Sequence, residues 1–460
     1  DFCLSRGLGD VYKRQPIPEG AAGASRAIQE HTCLIMTFDS SFSPLEPSVR
    51  RRFNCRCGKP VFFRNSLCIA CGTALGFDPV RGDILSLAPG AEEGTWIEDG
   101  AAGPSPEVYR RCANFDTAAS CNWLLPQSPE HVARDVSGTP LQQRTLCIAC
   151  ALNRQIPDLS NAVHAAQWGK IEMAKRRLVS ALLAMGLPVD SRLDQDPQRG
   201  VAFDFMSDLN GQPRVLTGHA DGLVTLNIEE ADDVKREKAR AAMHEPYRTL
   251  LGHLRHEIGH YYWDRLVAGS DWLEDYRSLF GDERADYAAA LQTHYAQGPA
   301  PDWPLHYVSA YASTHPWEDW AETWAHYLHM VDTFDTAMSF GLSMEESDIE
   351  YEPFTADMLY RPEAADAPAF LEFLNSWTRL SGVLNEISRS MGTPDFYPFV
   401  LPIEVVRKLQ FVHLLVQSAR VVARQPGTPL DTASESVTPP PPPPASPDAS
   451  AQPVPETTGG

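Results

Sequence analysis

The stretch Thr249-Leu250-Leu251-Gly252-His253-Leu254-Arg255-His256-Glu257-Ile258-Gly259-His260-Tyr261-Tyr262-Trp263 carries the reading of this chain. Leu250, Leu251, Leu254, Ile258, Tyr262 and Leu266 recur at helical spacing, which predicts a helix with one core-facing side. Pro246 suits its first turn, and the segment runs to Gly269. His256 and His260 stand four residues apart, one above the other on a helical face, so their imidazoles can bind one zinc ion. Glu257, beside the first, is placed to take a proton from a water at that metal. Gly259 is expected to leave room beside the ion.

A zinc ion that does chemistry needs a third protein ligand and an open fourth position. Trp317-Glu318-Asp319-Trp320-Ala321-Glu322-Thr323-Trp324 offers one. Glu318 and Glu322 are four apart on one predicted helix, so one can bind zinc while the other accepts the second N–H of a ligand histidine. Tyr311 lies seven residues ahead of Glu318, and a phenol there could donate to the oxyanion of a tetrahedral intermediate. A rival ligand segment is Asp282-Glu283-Arg284-Ala285-Asp286, whose acids equally suit a helix start. His253 is expected to flank the site, since a fourth protein ligand would close it. His219 and His326 are expected to be structural, and Trp317, Trp320 and Trp324 to face the core.

Outward from this helix, the next signal is cysteine. Of ten cysteines, eight fall between Cys55 and Cys150; Cys3 and Cys33 stand apart. Cys55, Cys57, Cys68 and Cys71 form one cluster, and Cys112, Cys121, Cys147 and Cys150 a second. Thiolates two or three residues apart on tight turns can grip one metal, and Gly58 and Gly72 supply the positive φ such turns need. Leu67-Cys-Ile-Ala-Cys71 recurs verbatim as Leu146-Cys-Ile-Ala-Cys150, a repeated knuckle. Two four-cysteine zinc ribbons over residues 51–155 are the economical reading. Such sparse, paired cysteines suit zinc in a reducing, cytoplasmic setting better than a disulfide scaffold.

Periodicity predicts further helices over Asn161–Met185, Glu229–Met243, Trp272–Phe280, Asp282–Tyr295, Pro316–Asp332, Phe370–Met391 and Pro402–Ala423. Pro60–Arg64, Val201–Phe205, Val215–Leu216 and Leu223–Ile228 read as short strands. The last, about thirty residues before His256, is expected to be the open edge on which an extended substrate pairs. The fold class is therefore α+β: a small β-rich double ribbon, then a mainly helical zincin-like domain with a small sheet over residues 156–425.

Residues 1–50 read as a disordered leader. Its opening Asp1–Gln15 resembles translated sequencing-adapter text, and Met36 is the expected true start. Residues 426–460, with six consecutive prolines at Pro439–Pro444, read as a disordered tail, partly polyproline II. The formal charge of −21 argues against general binding of nucleic acid, and no apolar run is long enough to span a membrane. No secretory signal is visible.

The chain resembles a bacterial family of zinc-binding metallopeptidases that joins an N-terminal zinc-ribbon module to a His-Glu-x-x-His domain. The likeness covers residues 51–335. It rests on Cys112-Ala-Asn, Cys121-Asn-Trp, Leu216-Thr-Gly-His-Ala-Asp-Gly222, His256–Trp263, Gly281-Asp-Glu-Arg-Ala-Asp-Tyr287 and His315–His326. The arrangement is similar to the gluzincin subset, in which a tyrosine precedes the zinc-binding glutamate by seven residues and a second glutamate follows by four. That resemblance implies zinc on His256, His260 and Glu318, a supporting Glu322 and a catalytic Tyr311. Expected are one catalytic and two structural zinc ions, a peptide or protein substrate, and hydrolysis with Glu257 as general base. The rival class is a binding module, whose ribbons, flanked by Arg50–Arg52, Arg56, Lys59 and Arg64, dock a protein or nucleic acid.

Overall fold

Helix α3 (Leu250–Leu266) runs through the middle of the helical domain in the computed structural model. Thr249 caps it by accepting the amide hydrogen of Gly252 at 3.0 Å, a contact worth about 1 kcal/mol. The structure describes residues 51–423 except 102–104, 142, 209–214, 216, 243–247, 343, 345, 346 and 348. The expected leader, Met36, Cys3, Cys33, Pro246, Leu216 and the proline-rich tail lie outside the described residues. Leu254, Ile258 and Tyr262 are buried at their helical spacing, but so are Arg255, His256, Glu257, His260, Tyr261 and Trp263. Leu250 and Leu251 are only half-buried. A helix wrapped on all sides replaces the one-sided helix that the periodicity predicts.

What wraps it most closely is α6 (Pro316–Ser339). A Cβ at Gly259 would lie 3.1 Å from Ala321 Cα and 3.2 Å from Trp324 Cδ1. Gly259 therefore makes room for a neighbouring helix rather than for an ion, a correction to the sequence reading. The Trp320 indole N–H donates to the Gly259 carbonyl at 2.8 Å and fastens the crossing. Trp317, Trp320 and Trp324 are all buried, as their spacing predicts.

Against α3 lies a four-stranded sheet in the order β10-β11-β9-β8, from β8 (Asn153–Gln155), β9 (Ala202–Met206), β10 (Gly218–Ala220) and β11 (Leu223–Asn227). Strand β11 pairs antiparallel with β10 and parallel with β9. Leu223–Ile228 is thus an interior strand, and the edge belongs to β10. The reason is the turn: Asp221 (φ 47°) and Gly222 (φ 73°) both adopt positive φ, the two-residue hairpin that returns Gly218–Ala220 alongside β11.

The ribbon region pairs β1 (Phe53–Asn54) with β2 (Pro60–Val61). A five-stranded antiparallel meander follows: β3 (Ala74–Asp78), β4 (Asp83–Pro89), β5 (Thr95–Glu98), β6 (Val108–Arg111) and β7 (Leu124–Pro126). Phe63 packs edge-on against Phe77 at 4.9 Å and Trp123 at 6.4 Å. These aromatics, with six of the cysteines, join the same buried cluster as α3 and α6. Arg51 is 5% exposed, its guanidinium 2.6 Å from Asp332 of α6. It is an internal tie rather than part of a basic surface. Arg177 of α1 (Ala162–Ala184) and Arg255 of α3 grip the same carboxylate, each at 2.8 Å. Such a buried pairing stabilises only while every charge keeps its partner.

The remaining helices are α2 (Asp233–Ala242), α4 (Leu273–Phe280), α5 (Tyr287–Gln297), α7 (Ala367–Ser390) and α8 (Ile403–Ala423). Helix α5 starts five residues later than the acidic run predicts, because Asp286 serves as its cap. Lys408 of α8 pairs with buried Asp319 of α6 at 2.7 Å, which ties the last helix to the segment beside Glu318.

Candidate metal centres

Three groups of metal-binding side chains are assembled among the described residues. The first is Cys55, Cys57, Cys68 and Cys71; the second Cys112, Cys121, Cys147 and Cys150; the third His256, His260 and Glu318. In each, the donor atoms lie within 4.8 Å of one another.

The sulfur spacing fits an ion. Cys55 and Cys71 Sγ are 3.6 Å apart, Cys57 and Cys68 3.8 Å, and Cys121 and Cys147 3.6 Å. A tetrahedron with zinc–sulfur bonds of about 2.3 Å has edges of about 3.8 Å, whereas a disulfide needs about 2.05 Å. The two groups differ in cover. All four cysteines of the second are buried, while Cys57 and Cys71 of the first are exposed.

The third group meets the same test. Glu318 Oε2 lies 3.0 Å from His256 Nε2 and 3.6 Å from His260 Nε2, close to the edge of about 3.3 Å that zinc–nitrogen and zinc–oxygen bonds require. Yet this buried oxygen accepts no hydrogen bond from either ring. Two imidazoles and a carboxylate that converge at ion-pair distance without hydrogen-bond geometry describe a shared point between them, which suits a cation.

The surrounding groups fix that convergence. His256 Nδ1 donates to Glu322 Oε1 at 2.8 Å, so its Nε2 lone pair is free for metal. Ser309 holds the other Glu322 oxygen at 2.7 Å. Burial alone would raise the Glu322 carboxyl, but the His256 hydrogen bond brings it down to about 2, so it stays ionised. Glu318 Oε1 accepts from the Tyr287 hydroxyl at 2.5 Å, which occupies one carboxylate oxygen and turns the other inward. Tyr287 is absent from the sequence reading; its one signal there is its place at the end of the motif Gly281–Tyr287. Tyr311 sits in a 3₁₀ turn before α6, its ring 5.9 Å from that of His256. Burial, then the Glu318 charge, raises both phenols well above the ordinary tyrosine range, so both keep their protons. Glu257 is 7% exposed and makes no hydrogen bond or ion pair among the described residues.

The rival acids are engaged elsewhere. Arg277 holds Glu283 through two bonds at 2.6 and 3.0 Å, Asp282 pairs with Arg284, and Asp286 caps α5. His253 lies 3.4 Å from Glu230, outside the three-residue group. His219 is buried and accepts the Gly222 amide at 3.0 Å, and His326 bonds Tyr397 at 2.7 Å.

Comparison with known proteins gives the same division. Residues 52–161 match a zinc-ribbon domain, and residues 164–415 match a family described as "putative zinc-binding metallo-peptidase". Proteins from two strains of Mycobacterium tuberculosis and from Mycobacterium bovis, each named only as uncharacterized, are 42% identical over 368 residues, covering 80% of this chain and 95% of theirs. No solved structure matches significantly. No helix among the described residues is long and apolar enough to cross a membrane. With two four-cysteine groups and a His-His-Glu group assembled, this zinc-binding chain belongs to the "putative zinc-binding metallo-peptidase" family, with a zinc ribbon at its N-terminal side.

Proposed function

We propose that this chain hydrolyses peptide bonds with one zinc ion on His256, His260 and Glu318, and that its cysteine groups hold two structural zinc ions. The observation that carries the reading is the convergence of Glu318 Oε2 on both histidine Nε2 atoms, with Glu257 buried and unengaged beside them. A bound zinc supplies a Lewis acid and lowers the pKa of water. Glu257 takes the proton from the attacking water at its carboxylate and delivers it to the leaving amine. The Tyr311 hydroxyl donates to the oxyanion. Glu322 keeps His256 in the required tautomer, and Tyr287 holds Glu318 to a single inward oxygen. The edge strand β10, next to α3 through the His219–His260 ring pair at 6.3 Å, is the natural rail for an extended substrate.

Two variants test the assignment on a mixed peptide library and an unfolded protein. Glu257→Gln should lower kcat about 100- to 10,000-fold with zinc content unchanged. Tyr287→Phe should weaken zinc binding or activity about 10- to 100-fold while the fold persists. Activity should fall on acidification, since protons compete with zinc for its ligand side chains. A wild-type chain that leaves every substrate intact, or a profile flat down to about pH 4, sinks the reading. The cytoplasm, where thiolate cages survive, is the proposed setting.

A further inference from the structure

The repeated pentapeptide has two fates. In the second copy, Leu146 and Ile148 are partly buried against the core. They line a cavity of about 260 Å³ together with Leu183 of α1. The same helix brings a carboxylate to the knuckle: Glu172 Oε2 lies 3.7 Å from Cys150 Sγ. Lys175 of α1 neutralises that carboxylate at 2.7 Å, so what one copy already accepts is a helix that presents an aliphatic side chain to Leu-Cys-Ile-Ala-Cys.

In the first copy the corresponding side chains stand largely open among the described residues. Ile69 is 95% exposed, Leu67 53% and nearby Phe62 60%. Large aliphatic side chains held out on a metal-stiffened turn are the composition of a binding surface rather than of a solvated loop. The ribbon segment that carries them is cationic. From Arg51 to Phe77 the sequence has no Asp or Glu, on a chain of net charge −21. Arg52, Lys59 and Arg64 are exposed, and Arg56 is matched by Asp99. Three cations exceed the two negative charges that four thiolates leave on a bound zinc, so the tip remains positive.

We propose that the first knuckle docks an amphipathic helix of another protein, aliphatic along the side that meets Leu67 and Ile69 and acidic along the rim that meets Arg52, Lys59 and Arg64. Leu67 and Ile69 of the knuckle itself are aliphatic and the net charge of −21 repels a polyanion, so a protein is favoured over a nucleic acid even with Phe62 exposed nearby. The surface is independent of the hydrolytic site, so either assignment can fail alone.

The test is selection of displayed 16-residue peptides on the zinc-loaded full-length chain. The expected binders carry aliphatic residues three and four apart with surplus Asp and Glu. Their affinity should fall about ten-fold in Ile69→Asp and in Lys59→Glu, fall with added salt, and stay unchanged in Glu257→Gln. Ile69 is almost wholly exposed, so Ile69→Asp should not disturb folding. No enriched sequence, enrichment of basic peptides, equal affinity for Ile69→Asp, or binding of a single-stranded oligonucleotide alone would overturn the proposal.

Discussion

The two cysteine groups use one chemistry for two different ends. The second is sealed: its cysteines are at most 1% exposed, α1 lies over it, and Lys175 is buried with Glu172 beside Cys150. The first is half open, with Cys55 and Cys68 facing the core and Cys57 and Cys71 facing water. Identical residues thus sit in a core or on a surface according to what packs on them. The local fold of a knuckle is a matter of thiolate geometry; its role is a matter of its neighbours.

That contrast can be broken most directly by removing a ligand from each group. Cys147→Ser should cost several kcal/mol or more and abolish the cooperative melt, because metal and core are lost together. Cys57→Ser should leave the helical signal by circular dichroism in place and shift only the ribbon. Equal losses in the two variants would mean that the first knuckle is as integral as the second. Next in size is Asp332→Asn, which strands Arg51, Arg177 and Arg255 in the interior; about 3–5 kcal/mol should be lost in chemical denaturation. Burial alone would raise the Asp332 carboxyl, but the three guanidiniums hold it well below the ordinary range. Its contribution is therefore complete above the unfolded value of about 3.9 and is lost as pH falls through the lower folded value. Amide exchange near β1 should rise in that acid window, since Arg51 is the tie. The smallest effect sharpens the comparison most. Ile148→Ala should cost about 1–2 kcal/mol, and the equivalent Ile69→Ala less than about 0.5 kcal/mol.

Much of the candidate site was legible because side chains able to share a metal ion have rigid spacing. His256 and His260 declare themselves at four residues, and Glu318 with Glu322 at four residues more than fifty positions later. The sheath around them was not. Tyr287 reaches Glu318 across 31 residues, and a single tyrosine has no period to announce such a contact. Strand β10 has three residues, too few to alternate, and only the positive φ of the Asp221-Gly222 turn explains it. In the meander, β5, β6 and β7 are likewise short, while β3 and β4 bury four residues in a row and so show no alternation. Arg51 looked like surface charge because a cation's burial depends on a distant partner, here Asp332. The exposure of Ile69 could not be read at all, since its sequence is that of a buried twin.

The crossing at Gly259 also bears on which ion enters. Two helices that meet with Ala321 Cα 3.1 Å from the place of a Cβ cannot come closer, and the Trp320 bond to the Gly259 carbonyl opposes their parting. The bite between His256, His260 and Glu318 is then set by the backbone rather than by pliable side chains. A cage of that width takes a cation with bonds of about 2.0–2.2 Å. Calcium, with bonds of about 2.3–2.6 Å, would also span donors 3.0 to 3.6 Å apart, so what disfavours it is its demand for six to eight oxygens against two imidazoles and one carboxylate.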